Sequence, residues 1–202
     1  MAISLNGSTG VITGVSVGGL PDGIVDTDMI AAGAVTAAKR GAGAILQVKQ
    51  TVKTDVGSFT SSNTNTFVDI PGMSVSITPS STSSKILVMF TANCSQSTTA
   101  TTHIRLQRGS TSIFQGNADG NRFGSTQVDR TASSPYTLQL NSLTGAFLDS
   151  PSTTSATTYK LTGTLGSTYN GTFYINRPSD DSNDTDYTGR TASSIVVMEV
   201  AG

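Results

Sequence analysis

The chain has one cysteine, one histidine and no tryptophan, and charged residues make up only 12% of its 202 positions. A lone Cys94 excludes an intramolecular disulfide framework, and Cys94 with a lone His103 cannot build a cysteine/histidine zinc centre. Cys94 sits in a strand-like run and reads as a small buried hydrophobe. A Ser-His-Asp hydrolase would have to use His103. There Ile104 and Leu106 point one way along the strand, and His103, Arg105 and Gln107 the other. His103 therefore lies on a polar face beside a cation, suited to contacting a ligand and poor as a general base. The 12 basic and 13 acidic residues give a net charge of −1, so nothing in the charge balance suits nucleic acid or an anionic membrane surface. No apolar run approaches the roughly 20 residues of a membrane span. The opening Met1-Ala2-Ile3-Ser4-Leu5-Asn6-Gly7 lacks the basic and apolar regions of a secretion signal, which predicts assembly in a cytoplasm. Phosphate loops, dinucleotide fingerprints and zincin helices are also absent. No enzyme activity, cofactor, nucleic-acid partner or membrane insertion is expected.

What the chain does have is serine and threonine, roughly 30% of residues, together with valine, isoleucine and glycine. Strand-like runs alternate with polar turns over 45–53, 58–70, 73–78, 84–94, 101–108, 111–116, 135–148, 157–166, 171–177 and 193–200. After residue 45 no long window has helical periodicity, which predicts an all-β sandwich or barrel without crossover helices. Two runs are apolar on both faces. In one, Ile86, Val88, Phe90, Ala92 and Cys94 oppose Leu87, Met89, Thr91 and Asn93. In the last, Ile195 and Val197 oppose Val196, Met198 and Val200. One face of such a strand meets the core, and the other must meet a subunit, a loop or a helix.

Ahead of these strands, Gly23-Ile24-Val25, Gly33-Ala34-Val35 and Gly43-Ala44-Ile45 recur at ten-residue spacing. Each glycine and β-branched pair is followed by a capping residue and a few helix-tolerant residues, a short helical turn stopped by the next glycine. So small a unit cannot bury its own face and needs stacked neighbours or partner chains. A flexible Ala/Gly linker is the other reading. Residues 3–17 read as short extended pieces around Asn6-Gly7 and later glycines. The chain thus divides into a docking segment over 1–20, a repeat stalk over 21–45 and a β head over 46–202. Val25, Val35, Ile45, Leu87, Met89, Val196 and Met198 are the candidate oligomer contacts.

One dense carboxylate cluster, Asp180-Asp181-Ser182-Asn183-Asp184-Thr185-Asp186, fails the EF-hand spacing, with Asp186 where glycine and Ala192 where glutamate belong. Arg177 and Arg190 flank it and can neutralise it, so it reads as a solvated loop without a metal. Tyr187 in that loop offers a ring for a sugar face, whereas Tyr174 reads as a packing residue.

Gly33-Ala34-Val35-Thr36-Ala37-Ala38-Lys39 is similar to repeats in bacteriophage tail fibres. A head that opens with Ile45-Leu46-Gln47-Val48-Lys49-Gln50 and carries Leu106-Gln107-Arg108-Gly109-Ser110-Thr111, Tyr174-Ile175-Asn176-Arg177 and Ser193-Ser194-Ile195-Val196-Val197-Met198-Glu199-Val200 resembles the heads of such fibres. The resemblance implies a homotrimer with an antiparallel, jelly-roll-like β-sandwich head. It also implies an N-terminus attached to other virion proteins of the tail, baseplate or portal region. The head would face a bacterial surface glycan or protein. Expected receptor contacts are His103, Arg105, Asp184, Asp186, Tyr187 and Arg190. A baseplate, collar or capsid fibre without receptor binding is the alternative.

Overall fold

The two-residue period of an extended strand sends every second side chain of Lys85–Gln96 and Ser193–Val200 to one side. In the computed structural model that side is the interior of a two-layer antiparallel β-sandwich. The structure describes residues 4–6, 11–13, 35, 39–61, 66–130, 138–166, 170–183, 186 and 188–202. It divides into two units, Met1–Arg40 and Gly41–Gly202. In the first, β1 (Ser4–Asn6) and β2 (Val11–Thr13) pair antiparallel, with Asn6 opposite Val11. Val25 and most of the repeat lie outside the described residues. Gly43 donates its N–H to the Ala201 carbonyl, and Ala201 donates to Ala44, so these repeat residues are tied to the last strand of the sandwich.

The second unit contains β3 (Ile45–Lys53), β4 (Gly57–Ser61), β5 (Val68–Ile77), β6 (Lys85–Gln96), β7 (Thr101–Arg108), β8 (Thr111–Ile113), β9 (Gln127–Arg130), β10 (Asn141–Asp149), β11 (Thr157–Gly166), β12 (Gly171–Ile175) and β13 (Ser193–Val200). A six-stranded sheet has the order β3-β13-β6-β12-β4, with β10 also on β6; the five-stranded sheet runs β5-β11-β7-β8, with β9 also on β7. Ile86, Val88, Phe90, Ala92, Cys94, Phe173, Ile175, Ile195 and Val197 from the first sheet meet Ile70, Met73, Val75, Ile77, Ile104, Leu106, Tyr159, Leu161 and Leu165 from the second. Phe173 is fully buried and stacks on Phe59 at 4.7 Å. Burying such a ring is worth about 1.5–3 kcal/mol. Gly145 on β10 faces this core because a Cβ there would lie 2.6 Å from the Phe90 ring.

Two departures from the expected strands have local causes. The expected strand over 58–70 is broken: β4 ends at Ser61 and β5 starts at Val68, with the polar run Ser62-Asn63-Thr64-Asn65 between them. Conversely, 73–78 is not separate but continues β5 through a bulge. Asp69 pairs with Thr162 and Ser74 with Lys160, so four residues of β5 stand opposite Leu161 alone. Pro71 and Gly72 fill that bulge, Gly72 at φ 74°. The short polar strand β9 has no apolar alternation and was not expected.

The six-stranded sheet is laid out in columns. Thr91 pairs with Thr144 of β10 and Ser194 of β13, while Cys94 pairs with Asn141 of β10 and Ile175 of β12. β12 and β13 therefore lie end to end along one edge of β6, and β4 and β3 lie end to end beyond them. Residues 176–192 leave and re-enter this column at its middle.

Candidate functional site

The outward face of the six-stranded sheet has two unlike halves. Over the half built from β10, β6, β13 and β3, register aligns Leu148, Leu87, Met198 and Val48 in one row across the strands. The next row holds Ala146, Met89, Val196 and Gln50. A bulge at Leu46 sets Ile45 opposite Val200 and brings Ile45 onto the same face. Met89 is 42% exposed, Ile45, Val48 and Leu148 are also exposed, and Leu87, Val196 and Met198 are half-buried. A hollow of about 410 Å³ runs between β10 and β13 beside Met89, Thr144, Ala146 and Val196. The expected oligomer contacts Leu87, Met89, Val196 and Met198 thus share one continuous apolar surface, whose further members Val48, Ala146 and Leu148 were not singled out from sequence. Val35, in the first unit, is exposed.

The other half is covered by the 176–192 loop. Asn93 and Ser95 point outward yet are buried, because Asn93 Nδ2 donates to the Ala192 carbonyl and Ser95 Oγ to the Arg177 carbonyl. Asn176 closes the base of the loop. It is fully buried at φ 65°, a conformation Asn tolerates better than most residues. Its Nδ2 donates to the Lys53 and Asp55 carbonyls, and its Oδ1 accepts from Ser193 Oγ at 2.5 Å. Ser193 Oγ in turn accepts from the Asn93 N–H. Side chains here replace the ladder bonds that the break in the column removes.

Within the loop, Arg190 grips Asp181 through Nε at 3.0 Å and Nη2 at 2.7 Å, and Arg177 approaches Asp181 at 3.9 Å. Hydrogen bonding from Arg190 holds the Asp181 carboxyl below its usual pKa. The expected neutralisation is therefore present, centred on Asp181. Arg190 remains largely exposed and Asp186 is exposed; Asp184 and Tyr187 lie outside the described residues. Asp181, Ser182, Asn183, Thr188 and Arg190 line a polar hollow of about 360 Å³. Tyr174 is not the packing residue expected. Its ring faces outward, with the Arg177 guanidinium 4.0 Å above it. Among the described residues no cluster of carboxylates, histidine and cysteine is arranged to hold a metal ion.

His103 and Arg105 lie together on the outward face of the five-stranded sheet, as alternation along β7 predicts, but half-buried rather than open. His103 Nδ1 is 3.0 Å from Ser125 Oγ, and its ring meets Phe123 edge-on at 4.7 Å. Gly166 makes room for it, since a Cβ there would come within 2.6 Å of Nε2. Burial, and then the charge of Arg105, push the His103 pKa below its ordinary value and favour the neutral ring. Arg105 lies 3.6 Å over the Phe67 ring and donates through Nε to the Gly124 carbonyl at 2.6 Å. Phe67, Phe123 and Ser125 were invisible as partners in sequence because they come from separate connections.

Other polar groups at depth are structural. Asp149 accepts from Tyr159 Oη and from Arg108, and burial raises the Tyr159 pKa. Glu199, on the core side of β13, accepts from Ser80, Ser84 and Gln47. Burial raises the Cys94 pKa and leaves the thiol unreactive. No protein-family model and no curated protein matches this chain.

Proposed function

We propose that the chain is a trimeric bacteriophage tail fibre whose β head binds a receptor, a glycan, on a bacterial surface without covalent chemistry. The observation that carries this reading is the apolar outward face along β10, β6, β13 and β3. Rows of large side chains on a sheet face of this extent mark a surface made to meet another chain. The resemblance of the repeat and the ordered head motifs to phage fibres supports three as the number of chains. A trimer also suits adhesion, since three weak sites on one stalk raise effective concentration without any new contact. Attachment to the virion is assigned to the N-terminal segment, with assembly in the host cytoplasm.

Light scattering and cross-linking of the purified chain test the assembly, and a stable monomer at micromolar concentration refutes it. Excess head added to host cells tests receptor binding: blocked adsorption of the virus is expected, and unchanged adsorption refutes it. One observation favours the second reading, a structural baseplate, collar or capsid fibre. The cations Arg177 and Arg190 of the 176–192 loop are both turned to Asp181. Imaging of the particle separates the two.

A further inference from the structure

Three arginines are half-buried: Arg105, Arg108 and Arg177. Arg108 and Arg177 each have a carboxylate within 4 Å, and Arg105 has none among the described residues. Of the carboxylates that register brings near Arg105, Asp69 binds Lys160, and Asp129, opposite the buried Thr102, faces the other side of the sheet. Burial disfavours its charge and lowers its pKa. The hydroxyl of its cross-strand partner Thr162 is buried and makes no hydrogen bond to the described residues.

The guanidinium is also held still. Phe67 covers one face of the plane, and the Nε bond to Gly124 fixes its rotation. The segment carrying that carbonyl is itself fastened to β7. Thr126 N–H donates to the Ile104 carbonyl, and Leu106 N–H to Thr126 Oγ1. Gly124 cannot be enlarged, because a Cβ would lie 2.6 Å from the Gly116 carbonyl oxygen. What remains of Arg105 is the Nη1/Nη2 edge, which makes no hydrogen bond to the described residues. Two parallel donors on a fixed plane match two oxygens of a planar acid.

We propose that this edge of Arg105 binds the carboxylate of an acidic saccharide, a uronic acid in a host surface glycan. The inference rests on the receptor-binding reading and names the ligand class and the subsite. It selects the β7 patch over the 176–192 loop, because the loop arginines already have their carboxylate.

The test is calorimetric titration of the full chain with trigalacturonate, its methyl ester and inorganic sulfate, repeated on Arg105→Gln and Arg105→Lys. Trigalacturonate should bind, with the methyl ester and Arg105→Gln each weaker by ~10–100-fold, the range of a charge-assisted contact. Arg105→Lys keeps the charge without the fork and should fall between. The ester comparison uses the unaltered protein, so it decides the matter even if a variant fails to fold. Equal binding of acid and ester, full binding by Arg105→Gln, sulfate binding as tight as trigalacturonate, or no binding at 10 mM overturns the proposal. A head that blocks adsorption yet ignores trigalacturonate refutes this subsite alone. A head that binds trigalacturonate through Arg105 without blocking adsorption supports the subsite and refutes the receptor reading.

Discussion

Glu199 offers the sharpest stability test. It is the one acid on the core side of β13, fully buried after Ile195 and Val197, with no ion-pair partner among the described residues. Oε1 accepts from the Ser80 N–H at 2.7 Å, Ser80 Oγ at 2.6 Å and Ser84 Oγ at 2.7 Å; Oε2 accepts from Gln47 Nε2 at 2.6 Å. Burial alone would raise its pKa. The bonds from Ser80, Gln47 and Ser84 outweigh burial and bring it from 4.5 down to about 2. A gap of that size corresponds to about 3 kcal/mol at neutral pH. Because the folded pKa is the lower one, this stability is complete above the unfolded value of 4.5 and drains away as pH falls toward 2. Glu199→Gln should remove it. The new amide can keep the bonds at Oε1, but its NH₂ then meets the Gln47 NH₂. Gln47 cannot turn over to help, since its Nε2 also donates to the Thr78 carbonyl. Urea denaturation at fixed protein concentration, run at pH 7 and at steps from 5 to 2, measures the effect. The variant should lose about 3 kcal/mol at pH 7, and the gap between the two proteins should narrow in the acid range. A loss under about 1 kcal/mol, or parallel acid profiles, would refute the reasoning.

Four further substitutions probe the frame. Asn176→Ala removes the bonds to Lys53, Asp55 and Ser193 and places alanine at φ 65°; a loss of about 3 kcal/mol or more is expected in thermal denaturation, with faster proteolysis within 176–192. Gly145→Ala should cost about 1–3 kcal/mol by forcing the Phe90 ring aside, which near-ultraviolet dichroism and denaturation would register. Asp149→Ala leaves Arg108 and the Tyr159 hydroxyl without their partner and should cost about 3–5 kcal/mol. Tyr159→Phe, which leaves the Arg108 pair intact, should cost about 1 kcal/mol. Equal losses for the last two in urea would contradict the assigned roles.

The sandwich was legible because β6, β7, β11 and β13 obey a two-residue period over eight residues or more, and the period fixes which side chains share a face. Thus Ile86 through Cys94 faced inward as expected, and Leu87 with Met89 faced out. Where the period fails, local reading failed with it. Gln127–Arg130 is a strand only because it pairs with β7. Pro71-Gly72 looks like a strand end and is a bulge. The partners of Arg105 and Glu199 are contributed by distant connections, and Ser80 stands 119 residues from Glu199. Such pairings belong to the closed fold and leave no trace in spacing. The doubly apolar strands raised a choice between a partner surface and a covering loop. The 176–192 loop covers Asn93 and Ser95 and leaves Leu87 half-buried and Met89 exposed.

Asn176 and Ser193 make the interruption between β12 and β13 behave as a socket. The side-chain bonds that close it come from those two residues, Asn93 and Ser95, and the interval 177–191 contributes to them only main-chain groups, the Arg177 carbonyl to Ser95 and the Thr191 N–H to the Asn176 carbonyl. Sequence in that interval can be exchanged or lengthened while β12 and β13 keep their register. Doubling the length of a flexible insert adds only about 0.6 kcal/mol of closure cost. The sandwich is thus a chassis with a replaceable lateral part: its surface can be re-specified at one position in the chain without renegotiating the core.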